Sequence, residues 1–238
     1  MLAHLMQSHS DFDFVLLFLA VVLMPLVSVL AGAQLRKRAT ASLIPRYLQT
    51  MVRGWLVAFL VLLTWRWLGR PLAELGLDMP VGLPGTLGFA AVAVTALVAV
   101  FQLLRLTSLT PEQMERAKKA IASVKITPTT RAELAVFFLV SLTAGVWEEL
   151  LYRGFLVWFL APLTGTAGAI VLSSLVFGLG HIYQGARGVL ITTTIGLLFA
   201  VAFVLTHSLW WLMAAHALID IYGGSLAFKV KTLMERAA

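Results

Sequence analysis

Hydrophobic residues fall along this chain in long blocks. They lie at about Phe14–Ala33, Trp55–Leu68 (with a start near Met51), Leu83–Leu104, Leu134–Leu160, Ala167–His181, Val189–Thr206 and Leu209–Phe228. A helix that crosses the hydrocarbon layer needs about 20 predominantly apolar residues, so each block predicts a transmembrane helix. The pattern is that of an all-α, polytopic transmembrane helical bundle of about seven spans, with an eighth if the long fourth block is split. No stretch between the blocks is long enough to bury a core of its own. Residues 1–238 therefore read as a single integral membrane domain.

Composition agrees with the pattern and narrows the function. Of the 238 residues, 60% are apolar and 12% charged, and the mean hydropathy is +0.93. Soluble domains run nearer to about 45–50% and 25%. So few charges cannot coat a globule, which excludes a soluble enzyme, a nucleic-acid binder and a disordered regulator. The lack of cysteine removes disulfides, thiolate catalysis and cysteine-held metals.

The net charge of +7 matters through its placement, because Lys and Arg collect on the cytoplasmic side of membrane proteins. Arg36, Lys37, Arg38, Arg46 and Arg53 fall between the first two blocks. Arg105, Arg116, Lys118, Lys119, Lys125 and Arg131 fall between the third and fourth, Arg187 between the fifth and sixth, and Lys229, Lys231 and Arg236 after the seventh. If the spans alternate, all four groups share one side, and only Arg66 and Arg70 lie opposite. That side reads as the cytoplasm, with the amino terminus outside and the carboxyl terminus inside. No Lys or Arg precedes the first block, which reads as a retained helix although Ala31-Gly32-Ala33 mimics a cleavage site. Thr110-Pro111-Glu112-Gln113 is a helix-start pattern. Met114, Ala117, Ile121 and Val124 follow at helical spacing, predicting a short amphipathic helix on the inner leaflet or a solvated connector.

A charge in the hydrocarbon layer costs at least ~2.5–3.5 kcal/mol. The second half of the chain nevertheless carries Glu148, Glu149, Arg153, His181, His216 and Asp220 within its blocks. On a helix Glu149 and Arg153 are one turn apart and can pair, while Glu148 points about 100° away. The spacing predicts one carboxylate held by an arginine and one left for chemistry. His181 follows Phe177 by one turn, on the same face. Asp220 follows His216 in the same way, where it can accept the ring N–H and fix the tautomer. Taken singly, a self-neutralised ion pair, an interfacial histidine and a satisfied polar pair would explain the three clusters. Together, on three helices of one small bundle, they must face one another or a water-filled cavity. Such a set can activate a water and receive an oxyanion, which is an inventory for hydrolysis. His207, beside Trp210 and Trp211, reads as interfacial, and His4 and His9 as part of a mobile tail.

Glu148-Glu149…Arg153, Phe177…His181 and His216…Asp220 resemble, in order and spacing, the EExxxR, FxxxH and HxxxN/D motifs of the CAAX protease and bacteriocin-processing (CPBP, or Abi) family of intramembrane endopeptidases. The resemblance covers about residues 131–225 and implies that the catalytic core lies there. It implies a membrane-associated protein or peptide as substrate, processed in a CAAX-type, bacteriocin-type or C-terminal-tail reaction, and a bacterial or archaeal cytoplasmic membrane. Carried over, Glu148 is the general base that activates water with His181, Glu149 is the second carboxylate, braced by Arg153, and Phe177 is a supporting residue. His216 and Asp220 would stabilise the oxyanion or position the substrate carbonyl. The CAAX-processing branch has Asn in the last place. An ionised carboxylate cannot donate a hydrogen bond, so Asp220 is read as orienting His216.

Cofactor use follows from the same residues. His181, His216 and Glu148 are also a set that zinc takes, and the family is often labelled a metalloprotease. The chain has no HExxH, and metal-free activation, without a cofactor, is the favoured reading. No GxSxG, no cysteine and a single intramembrane aspartate argue against the other protease chemistries. Two rival functions stand beside the endopeptidase. One is a catalytically silent family member serving as a membrane scaffold or immunity/regulatory protein, against which the intact motifs argue. The other is a proton-coupled transporter, against which the lack of repeat symmetry argues.

Overall fold

The structure, a computed structural model, describes residues 9–37, 42–79, 82–108, 110–116 and 126–236. Its elements are α1 (Asp11–Phe18), a π-helical stretch (Leu19–Leu23), α2 (Met24–Lys37), α3 (Ile44–Trp67) and α4 (Leu83–Arg105), then α5 (Arg131–Glu149), a second π-helix (Leu150–Leu156), α6 (Val157–Leu179), α7 (Gly185–Thr206) and α8 (Trp210–Arg236). Short 3₁₀ turns occupy Leu72–Leu75 and Ile182–Gln184. Six helical stretches among the described residues are long and apolar enough to cross a membrane. The chain is a polytopic integral membrane protein.

One of the six stretches, Arg131–Leu179, is 49 residues long and is not a single rod. Gly165 has φ 71° and ψ 167°, a backbone conformation that only glycine adopts without strain. On either side of it, the Tyr152 and Phe177 rings lie 5.3 Å apart, where an unbroken helix would hold them ~38 Å apart. The chain folds back at Gly165, so this stretch supplies the two arms that the fourth and fifth hydrophobic blocks predict.

Helix starts explain where the element bounds differ from the blocks. α5 begins with a capping box: Thr130 Oγ1 accepts from the Glu133 N–H (3.1 Å) while Glu133 Oε2 accepts from the Thr130 N–H (3.3 Å). The other Glu133 oxygen accepts from the Leu43 N–H at 2.9 Å, tying the start of α5 to the start of α3. α3 accordingly begins at Ile44, with Pro45 in its first turn. Arg46 and Arg53, expected in a loop, belong to this helix, because hydropathy marks only its apolar part. Residues 111–116 are helical, and the Thr110–Gln113 capping box forms (2.9 and 3.2 Å). The rest of the expected amphipathic helix, residues 117–125, lies outside the described residues, as does His4. His9 is corrected: its ring is buried against Phe159 and Trp158, with centroids at 4.2 and 5.3 Å.

α5 packs between α3 and α8, while α6 packs on α7 and α4 on α8. Leu150, Leu151, Phe155 and Leu156 form the centre of the core with Trp65, Leu75, Leu209 and Leu212. Leu97, Leu190 and Leu205 face outward, as lipid contact requires. Gly145 sets the distance between α5 and α8. A Cβ there would stand 2.6 Å from the Met213 carbonyl oxygen, so a side chain would push the two helices apart.

Candidate active site

At Glu149 the α-helix gives way to the π-helix Leu150–Leu156, all seven residues of which are buried. A π-turn adds a residue to the helical repeat and is often found at functional sites. Arg153 lies within it, buried, four residues after Glu149. Arg153 Nη1 donates to Glu149 Oε1 at 2.9 Å, and Nη2 donates to the Gly196 carbonyl at 3.3 Å. The guanidinium lies over Phe177 (4.3 Å) and Phe199 (5.5 Å). The pair expected from the i,i+4 spacing is therefore present, inside an aromatic box that excludes water.

Glu149 Oε1 has a second donor. His216 Nδ1 lies 2.6 Å from it, and since a carboxylate paired with arginine only accepts, Nδ1 carries the proton. This corrects the reading of Asp220 as the group that orients His216. Asp220 Oδ2 stands 3.8 Å away, nearer the other ring nitrogen, Nε2, which is beyond hydrogen-bond distance. One-turn spacing brings the two residues near each other, but the close approach of α5 and α8 at Gly145 gives the ring a nearer acceptor on the facing helix.

His181 is fixed in a similar way by a different acceptor. Its Nδ1 lies 2.9 Å from the Phe177 carbonyl, which can only accept, so Nδ1–H donates and Nε2 faces away. The ring rests on Phe177 at 4.7 Å. Phe177 and Phe199 also present edges or faces to His216, each at 6.1 Å. Both Nε2 atoms are thereby turned toward one carboxylate: Glu148 Oε2 is 3.9 Å from that of His181 and 3.7 Å from that of His216. These gaps exceed a direct hydrogen bond. Glu148 Oε2 and Glu149 Oε2 are buried with no hydrogen-bond partner, although buried polar atoms are nearly always satisfied. The side chains of Glu148, His181 and His216 are 11–16% exposed, against 38% for Asp220. The cluster thus opens on the Asp220 side.

All seven residues singled out in the sequence meet here. Glu148, His181 and His216 are donors of the type zinc takes, yet among the described residues no three His, Asp or Glu side chains are grouped to hold a metal ion. Sequence reasoning missed the Gly196 carbonyl and Phe199, which carry no motif. A shallow groove lined by Leu48, Met51, Val52, Trp55 and Leu56 lies elsewhere, on the face of α3 turned to lipid.

Comparison with known proteins returns one family. The model for Rce1-like, type II CAAX prenyl endopeptidase Rce1-like, matches residues 130–222, which include every residue of the three motifs. No curated protein and no solved structure matches the chain.

Proposed function

We propose, from the premise that residues 130–222 are an Rce1-like type II CAAX prenyl endopeptidase domain, that this protein is an intramembrane endopeptidase acting on a membrane-associated protein or peptide. The observation that carries the reading is the pair of imidazole Nε2 atoms aimed at the unpartnered Oε2 of Glu148. A water in hydrogen-bond reach of all three groups is held between an acceptor that takes its proton and rings whose tautomers are set from behind. Glu148 removes the proton as the water attacks the scissile carbonyl, and returns it to the departing amine. His181 orients the water. His216, protonated at Nε2 and backed by Glu149, donates to the oxyanion. Arg153 holds the Glu149 carboxylate in place, and so acts through it rather than on the substrate. Water activation by Glu148 and the two histidines needs no metal.

The same reading sets the protein in a cytoplasmic membrane, amino terminus outside and carboxyl terminus inside. Reporter fusions after residues 45, 75, 115 and 238 then report inside, outside, inside and inside. The function is tested by mapping peptide termini in membrane proteomes from cells carrying the wild type or Glu148→Gln. New termini that depend on Glu148 are the expected result. Identical sets of termini would leave a scaffold as the function.

A further inference from the structure

His181 is carried differently from the other groups of the candidate site. Glu148 and Glu149 end α5, Arg153 lies in the π-helix that continues it, and His216 lies inside α8. His181 stands beyond the end of α6, where the chain enters the 3₁₀ turn Ile182–Gln184. Its backbone belongs to that turn: its N–H donates to the Gly178 carbonyl and its carbonyl accepts from the Gln184 N–H, both at 2.9 Å. The turn ends at Gly185, with φ 80° and no atom within 4 Å of where a Cβ would stand. The joint to α7 is therefore open, and the brace comes from the other side.

That brace is Tyr183. Its ring lies 6.0 Å from the His181 ring, tilted by 33°, and packs on Leu43 and Tyr47 at the start of α3. Its hydroxyl accepts from Gln184 Nε2 at 2.9 Å. Its backbone rests on α2: a Cβ at Gly32 would stand 3.1 Å from Tyr183 Cβ and 3.3 Å from its Cα. A branched side chain at Gly32 would push the turn away. Gly32 belongs to the first membrane-spanning stretch, Asp11–Ala33, outside the residues that match the family.

We propose that Tyr183 is a positioning residue for His181, seated on α2 through Gly32, so that the first span takes part in water activation. This rests on the endopeptidase reading and adds residues that no motif contains. His181 Nε2 and Glu148 Oε2 are 3.9 Å apart. One water bridges them only over a narrow range, since each of its hydrogen bonds needs about 2.5–3.2 Å. The bond from Nδ1 to the Phe177 carbonyl sets which nitrogen faces Glu148. The seat under Tyr183 sets how far away that nitrogen stands.

The test uses the full chain in phosphatidylcholine nanodiscs, with isotope-labelled histidine for nitrogen NMR and His181→Gln to assign the signal. Turnover is followed on a farnesylated CAAX peptide, the chemistry that the family description names, or on a peptide spanning a Glu148-dependent terminus. In the wild type the His181 ring is expected to report a proton on Nδ1 alone. Tyr183→Ala removes the ring and Gly32→Val pushes on the backbone. Each is expected to spread the His181 signal over both tautomers while that of His216 stays in place. Each lowers kcat by about tenfold or more with KM within about twofold, since a misplacement of about 1 Å can cost about 10²-fold. The two together cost less than the sum of their separate effects, because both unseat one turn. Tyr183→Phe, which keeps the ring, stays near the wild type in both measurements.

An unmoved His181 signal in both variants overturns the proposal. So does a shift of His181 and His216 together, or a lowered Tm with kcat per folded molecule intact, the patterns of a merely structural contact. A Tyr183→Phe variant as slow as Tyr183→Ala also overturns it, by giving the hydroxyl its own contact with substrate. If His181 shifts as expected while the wild type cleaves neither the peptide nor any membrane protein, the endopeptidase reading falls and Tyr183 as the seat of His181 stands.

Discussion

Asp13 and Glu149 are both fully buried carboxylates, each held by an arginine that lies over aromatic rings. Asp13 spends both oxygens. Arg70 meets them with two parallel hydrogen bonds of 2.7 Å, and the Ser10 backbone and hydroxyl add two more at 2.7 and 3.0 Å. Trp65 and Trp158 cover the guanidinium at 4.9 and 4.6 Å. Glu149 instead places both its donors on Oε1 and leaves Oε2 without a partner, and the Oε2 of Glu148 is also unpartnered. The first pair is a closed clasp that ties the start of α1 to the turn after α3. The second is an open network that holds a histidine and leaves acceptors free. A buried polar group left unsatisfied costs stability. Two such atoms, on carboxylates that both face His216, in a site reached from the Asp220 side, point to chemistry rather than architecture.

The largest expected effect of breaking this contrast is at Glu148. Glu148→Gln keeps the shape and removes the base, so turnover falls by about 10²–10⁴-fold, measured on purified protein whose thermal unfolding is unchanged within a few degrees. Full activity in that variant would mean that the open network performs no chemistry. Glu149→Gln comes next, because it strips the negative charge from both Arg153 and His216. Breaking a buried pair in this way costs about 3–5 kcal/mol, read as a lowered Tm in detergent together with lost turnover.

Asp13→Asn is the matched change in the closed clasp, and its arginine retains some contact with water. It is expected to cost about 1–3 kcal/mol, as for a hydrogen bond to a charged group, with turnover per folded molecule unaltered. A fall in kcat beyond the loss of folded protein would show that the clasp is not purely structural. Smaller still is the effect of Asp220→Asn. Asp220 makes no hydrogen bond to His216, and an amide adds a donor at the mouth of the site, so activity should stay within about tenfold, less than one charge-assisted bond is worth. A defect as deep as that of Glu148→Gln would return Asp220 to the machinery. The smallest expected effect is that of strong chelators on peptide cleavage, which should be none. Reversible silencing by chelation, restored by zinc, would replace the water-activation scheme while leaving the protease assignment intact.

The bundle was largely legible because hydrophobic length is a local property: about 20 apolar residues make a span wherever they fall. Helix ends were less so. The start of α3 at Ile44 depends on Glu133, 90 residues away in the chain, and no window around Arg46 or Arg53 reports that bond. The motif residues were legible because charge inside a membrane needs a reason, and one-turn spacing correctly paired Glu149 with Arg153. The same spacing misled at His216 and Asp220. It measures proximity along one helix and is blind to a better acceptor on another.

By itself, then, the sequence determined a polytopic helical membrane protein with its ionisable side chains gathered on three helices, since cost of burial and helical periodicity are both written locally. Only the tertiary structure decided which partner each polar group takes. Arg153 finds its second acceptor in the Gly196 carbonyl of α7, Gly145 lets α8 close on α5, and that approach gives His216 to Glu149 rather than to Asp220. The same side-by-side packing sets Gly54 of α3 against Trp147 of α5. Hydrogen bonds depend on distances of a few tenths of an ångström between elements remote in the chain, and those distances exist only once the helices have packed.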